Sequence, residues 1–303
     1  MNFYNLPVYL LDGICIGAIY ALIALGYTMV YGIIKLINFA HGEFFMVSAY
    51  AGLGIFTLIS ERVPLIISIP VTILGSGIAG AAIAVIAEQI AYKPIRNADR
   101  LIALLTAIGV SFLLQNLFTF VNGGNALSFH GISEIIDHSF PLYGTHTFQT
   151  IKILYVILSL LLMVLLWYIT MHTRMGRAMR ATSQDIDAAR LMGINVDRVI
   201  MVTFAIGGFF AGIAGILIGS KNTIEPFMGF IPGLIAFVAA VIGGIGSIPG
   251  AVLGGFLIGI IQQLILWVGI PSGYRDVVTF LLLIVVLVIR PQGILGTVQN
   301  EKV

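Results

Sequence analysis

The sequence predicts an all-α fold: a single polytopic bundle of transmembrane helices over residues 1–303, with about eight or nine spans, some short, broken or re-entrant. Three observations predict it. First, 59% of the residues are hydrophobic, only 9% are charged and the mean hydropathy is +1.07. Soluble domains carry about 45–50% apolar residues, so most of this surface faces something other than water. Second, the uncharged runs at 101–121, 153–171 and 199–220 match the roughly 20 residues that a helix needs to cross a hydrocarbon core of about 30 Å. Third, these runs are continuous, whereas the strands of a membrane barrel would alternate over segments of about 10 residues.

The first span, 8–34, is too long for a signal h-region and lacks a basic n-region, so it is expected to remain as a helix. Its Cys15 is the only cysteine and has no partner for an internal disulfide. The second span, 39–60, opens on Asn38, His41 and Glu43, where lipid would favour Leu or Val. Polar groups in that position turn toward protein or a water-filled path, which makes Asn38, His41 and Gly42 candidate pathway residues. The other reading is an interfacial helix start, with Asn38 as N-cap and Glu43 complementing the dipole. The third span, 64–91, carries Glu88 near Lys93, read as a satisfied interfacial charge. The fourth covers 101–121.

Residues 122–150, with turn residues at Gly123, Gly124, Pro141 and Gly144, are expected to form an extracytoplasmic loop. It either touches a soluble partner or merely connects spans. The fifth span covers 152–171 and the sixth 199–220. From Pro226 to Tyr274 there are 49 residues without a charge, and the glycines of GGIGSIPG, Gly243 to Gly250, are read as dividing them into spans 227–246 and 250–270. The last span, 275–290, contains only 13 uncharged residues, about 20 Å of helix. It crosses with snorkelling flanks, or it re-enters.

Lys and Arg set the orientation. With the N-terminus outside, the inner face receives Lys35, Lys93, Arg96, Arg100, Arg174, Arg177, Arg180, Arg190, Arg198, Arg290 and Lys302, which is 11 of 15. Arg62, Lys152, Lys221 and Arg275 remain outside. The expected topology is N-out and C-in.

Between the fifth and sixth spans lies a polar cytosolic loop, 174–198, in which a short helix is expected over 183–193. Ser183 or Asp185 caps its start, Asp185 and Asp187 suit the positive end, Arg190 the negative end, and Gly193 supplies a left-handed stop. Ala188, Leu191 and Met192 share one face at spacings of three and four, an apolar knob of the kind that a groove on a partner receives. Glycine numbers 35 of 303 and clusters after residue 207. One reading is close helix packing. The other makes Gly243, Gly244, Gly246 and Ser247 a broken helix whose amides face a solute path, paired with the passage 38–52 in the first half. No HExxH, no GxxxxGK[ST] and no Cys/His cluster occurs, so no enzyme, metal or cofactor is expected, and any energy arrives from another chain.

Asp187, Ala188, Ala189 and Gly193 resemble the E-A-A-x-x-x-G coupling loop of bacterial ABC importers, with Asp in place of Glu. The strings GYTMVYGIIKLINFAHGEFFM (from Gly26), EQIAYKPIR (from Glu88), AIGVSFLLQN (from Ala107), GRAMRATSQDIDAARLMGINVDR (from Gly176), GGIGSIPGAVLGG (from Gly243) and RPQGILG (from Arg290) extend the likeness over nearly the whole chain. The sequence resembles the branched-chain amino acid ABC-transporter permease family. The resemblance implies a bacterial inner-membrane permease that pairs with a homologous second permease, two cytosolic ATPases that bind the ATP, and an extracytoplasmic solute-binding protein, with lipid around it and no nucleic acid. Asp187, Ala188, Ala189, Leu191, Met192 and Gly193 are then the ATPase-coupling residues. A permease for urea or short amides shares much of this pattern. An ion-coupled carrier and a subunit with no solute path are the remaining alternatives.

Overall fold

The computed structural model describes all residues except 1–2, 36–37, 97, 130–138, 144–145 and 297–303. Part of the 122–150 loop, and Lys302, lie outside the described residues. The helices are α1 (Leu6–Ile34), α2 (His41–Ile59), α3 (Leu65–Ala87), α4 (Arg100–Asn122), α5 (Ile151–His172), α6 (Arg174–Gln184), α7 (Ile186–Leu191), α8 (Val196–Gly219), α9 (Phe230–Gly243), α10 (Ile248–Val268) and α11 (Arg275–Ile289). The 122–150 loop holds a two-stranded antiparallel hairpin, β1 (Ser139–Tyr143) with β2 (His146–Gln149). The fold is otherwise helical among the described residues.

Eight helices are long and apolar enough to cross a membrane. The seventh expected span, 227–246, is corrected to α9, whose 14 residues rise only about 21 Å. The last span gains length from a 3₁₀ turn at Ser272–Tyr274 and reaches 18 residues, so it has the length to cross.

Helix ends follow local chemistry. Asn195 accepts a hydrogen bond from the Arg198 amide at 3.0 Å and opens α8, and Ser247 accepts from Gly250 at 3.2 Å and opens α10. The α10 start also carries Pro249 in its first turn, where a missing amide costs nothing.

Two halves of the bundle are related by inversion. Lys152 and Tyr155, at the start of α5, reach Asp12 near the start of α1 and Ser220 at the end of α8, so α1 and α8 are antiparallel. Small residues let α1 lie against α10, with Gly13 beside Ile260 and Gly17 beside Phe256, and let α8 lie against α3 through Gly208, Gly212 and Ser76. The half-helix α9 packs on α1, α10 and α11, as α2 packs on α8, α3 and α4. The starts of α2 and α9 meet where Gly42 faces the carbonyl of Gly229, a contact that leaves no room for a Cβ on either residue. The counterpart of α2 is thus α9. The glycine passage that the sequence pairs with 38–52 begins at the end of α9, Gly243, and runs into the α9–α10 turn.

Candidate functional site

The polar island forms two helices where one was expected. Thr173 caps α6 by accepting from the Gly176 amide at 3.0 Å. Asp185 then adopts extended backbone, ends α6, and caps α7 by accepting from the amides of Asp187 and Ala188, both at 2.9 Å. The predicted 183–193 helix therefore shortens to Ile186–Leu191. Ser183 is not its cap; it belongs to α6 and donates to the Arg180 carbonyl at 2.8 Å.

Gly193 is the expected stop. Its φ is +78°, its amide donates to Arg190 at 3.0 Å, and the Ile194 amide donates to Ala189 at 3.0 Å, the paired bonds of a Schellman ending. Ala189 turns inward and is buried, while Asp187, Ala188 and Arg190 are exposed. Leu191 is 89% exposed and Met192 81%. Burying each such side chain is worth about 1.5–3 kcal/mol, so this knob gains from any apolar groove that receives it.

The same end of the bundle is held by charge. Glu88 is fully buried and pairs with Arg96, while Arg96 also bonds Asp197 at 2.6 Å. Gln89 donates to the second oxygen of Glu88 at 2.6 Å. The pair ties the turn after α3 to the first turn of α8 and makes Glu88 a satisfied charge, with Arg96 in the place expected of Lys93.

Above α6 opens a cavity of about 860 Å³, bordered by α1, α5, α6, the α9–α10 turn, α11 and residues 291–296. Gly246 and Ser247 line it. Gly243 and Gly244 do not. Gly243 packs on Gly250, and the 291–296 segment folds back over both, with Ile294 donating to Ile242 at 2.8 Å and Leu295 to Gly243 at 2.9 Å. The helix next to α7 thus forms a wall of the cavity: Met179, Arg180 and Ser183 of α6 line it, and Arg180 also donates to the Thr170 carbonyl at the end of α5. Sequence reading registered Lys35 and Arg180 only as inward positive charges and missed their place at the cavity.

Asn38, His41 and Gly42 lie elsewhere, buried where α2 begins. Asn38 is not the N-cap of α2; its side-chain oxygen accepts from the Tyr92 hydroxyl at 2.6 Å and the Ala40 amide at 3.1 Å. The His41 ring lies 4.6 Å from that of Tyr27. Glu43 does more than face a helix dipole: one oxygen accepts from Gln115 at 2.7 Å and Ser111 at 3.0 Å, joining α2 to α4. Of the seven candidate pathway residues, Gly246 and Ser247 therefore line the large cavity, Asn38 borders a separate small pocket beside Tyr92 and Arg96, and the other four are packed.

An inverted helical bundle, a cavity at one end and a capped apolar knob beside it describe a polytopic membrane transport protein. The chain belongs to the family described as branched-chain amino acid transport system / permease component, whose model matches residues 9–287. It is 42% identical over 301 residues to the high-affinity branched-chain amino acid transport system permease protein LivH of Escherichia coli K12, covering 96% of each chain. It is 40% identical to the corresponding protein BraD of Pseudomonas aeruginosa, covering 99% of each. A more distant relative is the ribose import permease protein RbsC of Haemophilus influenzae, 27% identical over 88% of this chain and 79% of that one.

Proposed function

We propose that this chain is the permease subunit of an ABC importer that carries branched-chain amino acids across the bacterial inner membrane, driven by ATP hydrolysis on two partner ATPases. The observation that carries the reading is α7. A six-residue helix is marginal by itself, yet this one is capped at both ends and presents Leu191 and Met192 to the outside. Such a helix suits a groove on a partner.

Closure of the ATPase pair moves α7, α7 carries α6, and α6 forms a wall of the inner cavity beside Gly246 and Ser247. The permease supplies no catalytic residue; it couples. A homologous permease completes the pathway, a solute-binding protein delivers from outside, and the N-terminus lies outside with the C-terminus inside. An ion-coupled carrier would need a carboxylate that reaches a solute path, whereas no Asp or Glu lines the cavity and Glu88 is fully buried with both oxygens hydrogen-bonded.

Reconstitution of the permease with its partner permease, ATPases and binding protein in proteoliposomes tests the proposal. ATP-dependent accumulation of labelled leucine, with urea excluded, is expected. Urea uptake without leucine uptake, or leucine uptake without ATP, refutes it.

A further inference from the structure

We infer that Lys35 and Arg180 form an anion-recognition site at the inner cavity, which takes the α-carboxylate of an aliphatic amino acid leaving the permease. The inference rests on the importer reading and names what the exit side of that path recognises. Both residues line the cavity, and no Asp or Glu lines it with them. Two other partly buried cations are neutralised, Arg96 by Glu88 and Lys152 by Asp12 at 2.6 Å, whereas Arg275 resembles Lys35 in having no ion pair among the described residues but does not line this cavity. Lys35 has neither an ion pair nor a side-chain hydrogen bond among the described residues. Burial pushes its pKa below the ordinary lysine value, the mark of a cation that has lost water without gaining an anion. Arg180 spends one nitrogen on the Thr170 carbonyl and a weak contact with the Met171 sulfur at 3.9 Å, which leaves part of its five-donor fork for a carboxylate.

A second observation points to a polar ligand. The Thr28 hydroxyl, on a residue only 1% exposed, lies at the cavity wall with no hydrogen-bond partner among the described residues. Thr28 sits in the last two turns of α1 and Lys35 caps its end in the left-handed conformation, and both line the cavity. Between and around them Met29, Phe237, Val241, Leu283 and Leu287 supply an apolar wall. Two cations, an unused hydroxyl and an apolar wall match a small molecule with a carboxylate, a polar α-centre and an aliphatic tail. Urea or an amide would leave both cations unanswered. A lipid phosphate is the other source of an anion, but its acyl chain would cover the Thr28 hydroxyl without satisfying it.

The test uses the complex of both permeases and ATPases in phosphatidylcholine nanodiscs, without the binding protein, titrated with labelled L-leucine. Leucine should bind, L-leucinamide should fail to compete, Arg180→Gln should weaken binding about tenfold and Lys35→Met several-fold, and Arg180→Lys should recover part of the loss. No binding to the wild type, or equal binding to wild type and both variants, overturns the inference. Added phosphatidylglycerol is the second arm. If it displaces leucine, and the variants lose retained phosphatidylglycerol but keep leucine, the site belongs to lipid and the inference fails. Parallel ATP-driven uptake by the wild type in proteoliposomes keeps the two claims apart. Its absence sinks the importer reading, while normal uptake with unaltered leucine binding in the variants sinks only the anion site.

Discussion

Replacing Gly193 with valine tests the coupling role of α7 without touching the membrane. Gly193 holds φ at +78°, and a Cβ built on it meets no atom within 4 Å. The penalty is therefore conformational and not steric, about 1–2 kcal/mol for an L-residue in the left-handed region and more for a β-branched one. The two bonds from the amides of Gly193 and Ile194 depend on that geometry. A helix of six residues has little stability of its own, so a loss of about 1–2 kcal/mol cuts its folded population roughly 5- to 30-fold. Gly193→Val should leave the permease in the membrane, release the ATPases on purification and abolish ATP-driven uptake. Gly193→Asn, which tolerates this backbone, should retain most of both. Co-purification measured beside uptake in vesicles is the assay. Normal coupling in the valine variant, or equal damage from Asn and Val, refutes the reasoning.

Ala188→Arg places a large charge on the exposed face next to Leu191 and Met192, and should also release the ATPases; Arg174→Gln, outside α7, should do far less, as pull-down yields will show. Glu88→Ala leaves Arg96 without its buried partner and should destabilise the protein by about 3 kcal/mol, read as a lower melting temperature in detergent. Gly42→Leu drives a side chain into the Gly229 backbone and should prevent accumulation in the membrane, with immunoblot levels as the measure. Cysteine at Asn125 should label from outside in intact cells, and cysteine at Leu191 only after permeabilisation; the reverse pattern inverts the proposed topology.

Much of the fold was legible because the bilayer imposes a length and a polarity on every span. Runs such as 153–171 and 199–220 could be nothing but membrane helices, and they are α5 and α8. The stop at Gly193 was legible because its signal is local, a glycine after a polar helix end. The start of that helix was not, since Ser183 and Asp185 both have capping chemistry, and the choice depends on how far α6 extends. The 227–246 segment was misjudged for a related reason. Uniform hydrophobicity does not mark where a half-helix begins, and α9 begins where α2 meets it at Gly42.

Hydrophobic periodicity, charge placement and capping residues are properties of neighbours along the chain. By themselves they determined that this protein is a helical membrane bundle with an exposed, capped helix on one side. Contacts between distant segments decided everything else: that α2 and α9 occupy matching positions in the packing, that Asn38 bonds Tyr92 and Glu43 bonds Ser111 and Gln115, and that Gly246 and Ser247 face a cavity while Gly243 and Gly244 are covered. The physical reason is that a glycine or a buried polar side chain carries the same local signal wherever it packs. Only the element opposite it determines whether it closes a helix contact or opens onto a cavity.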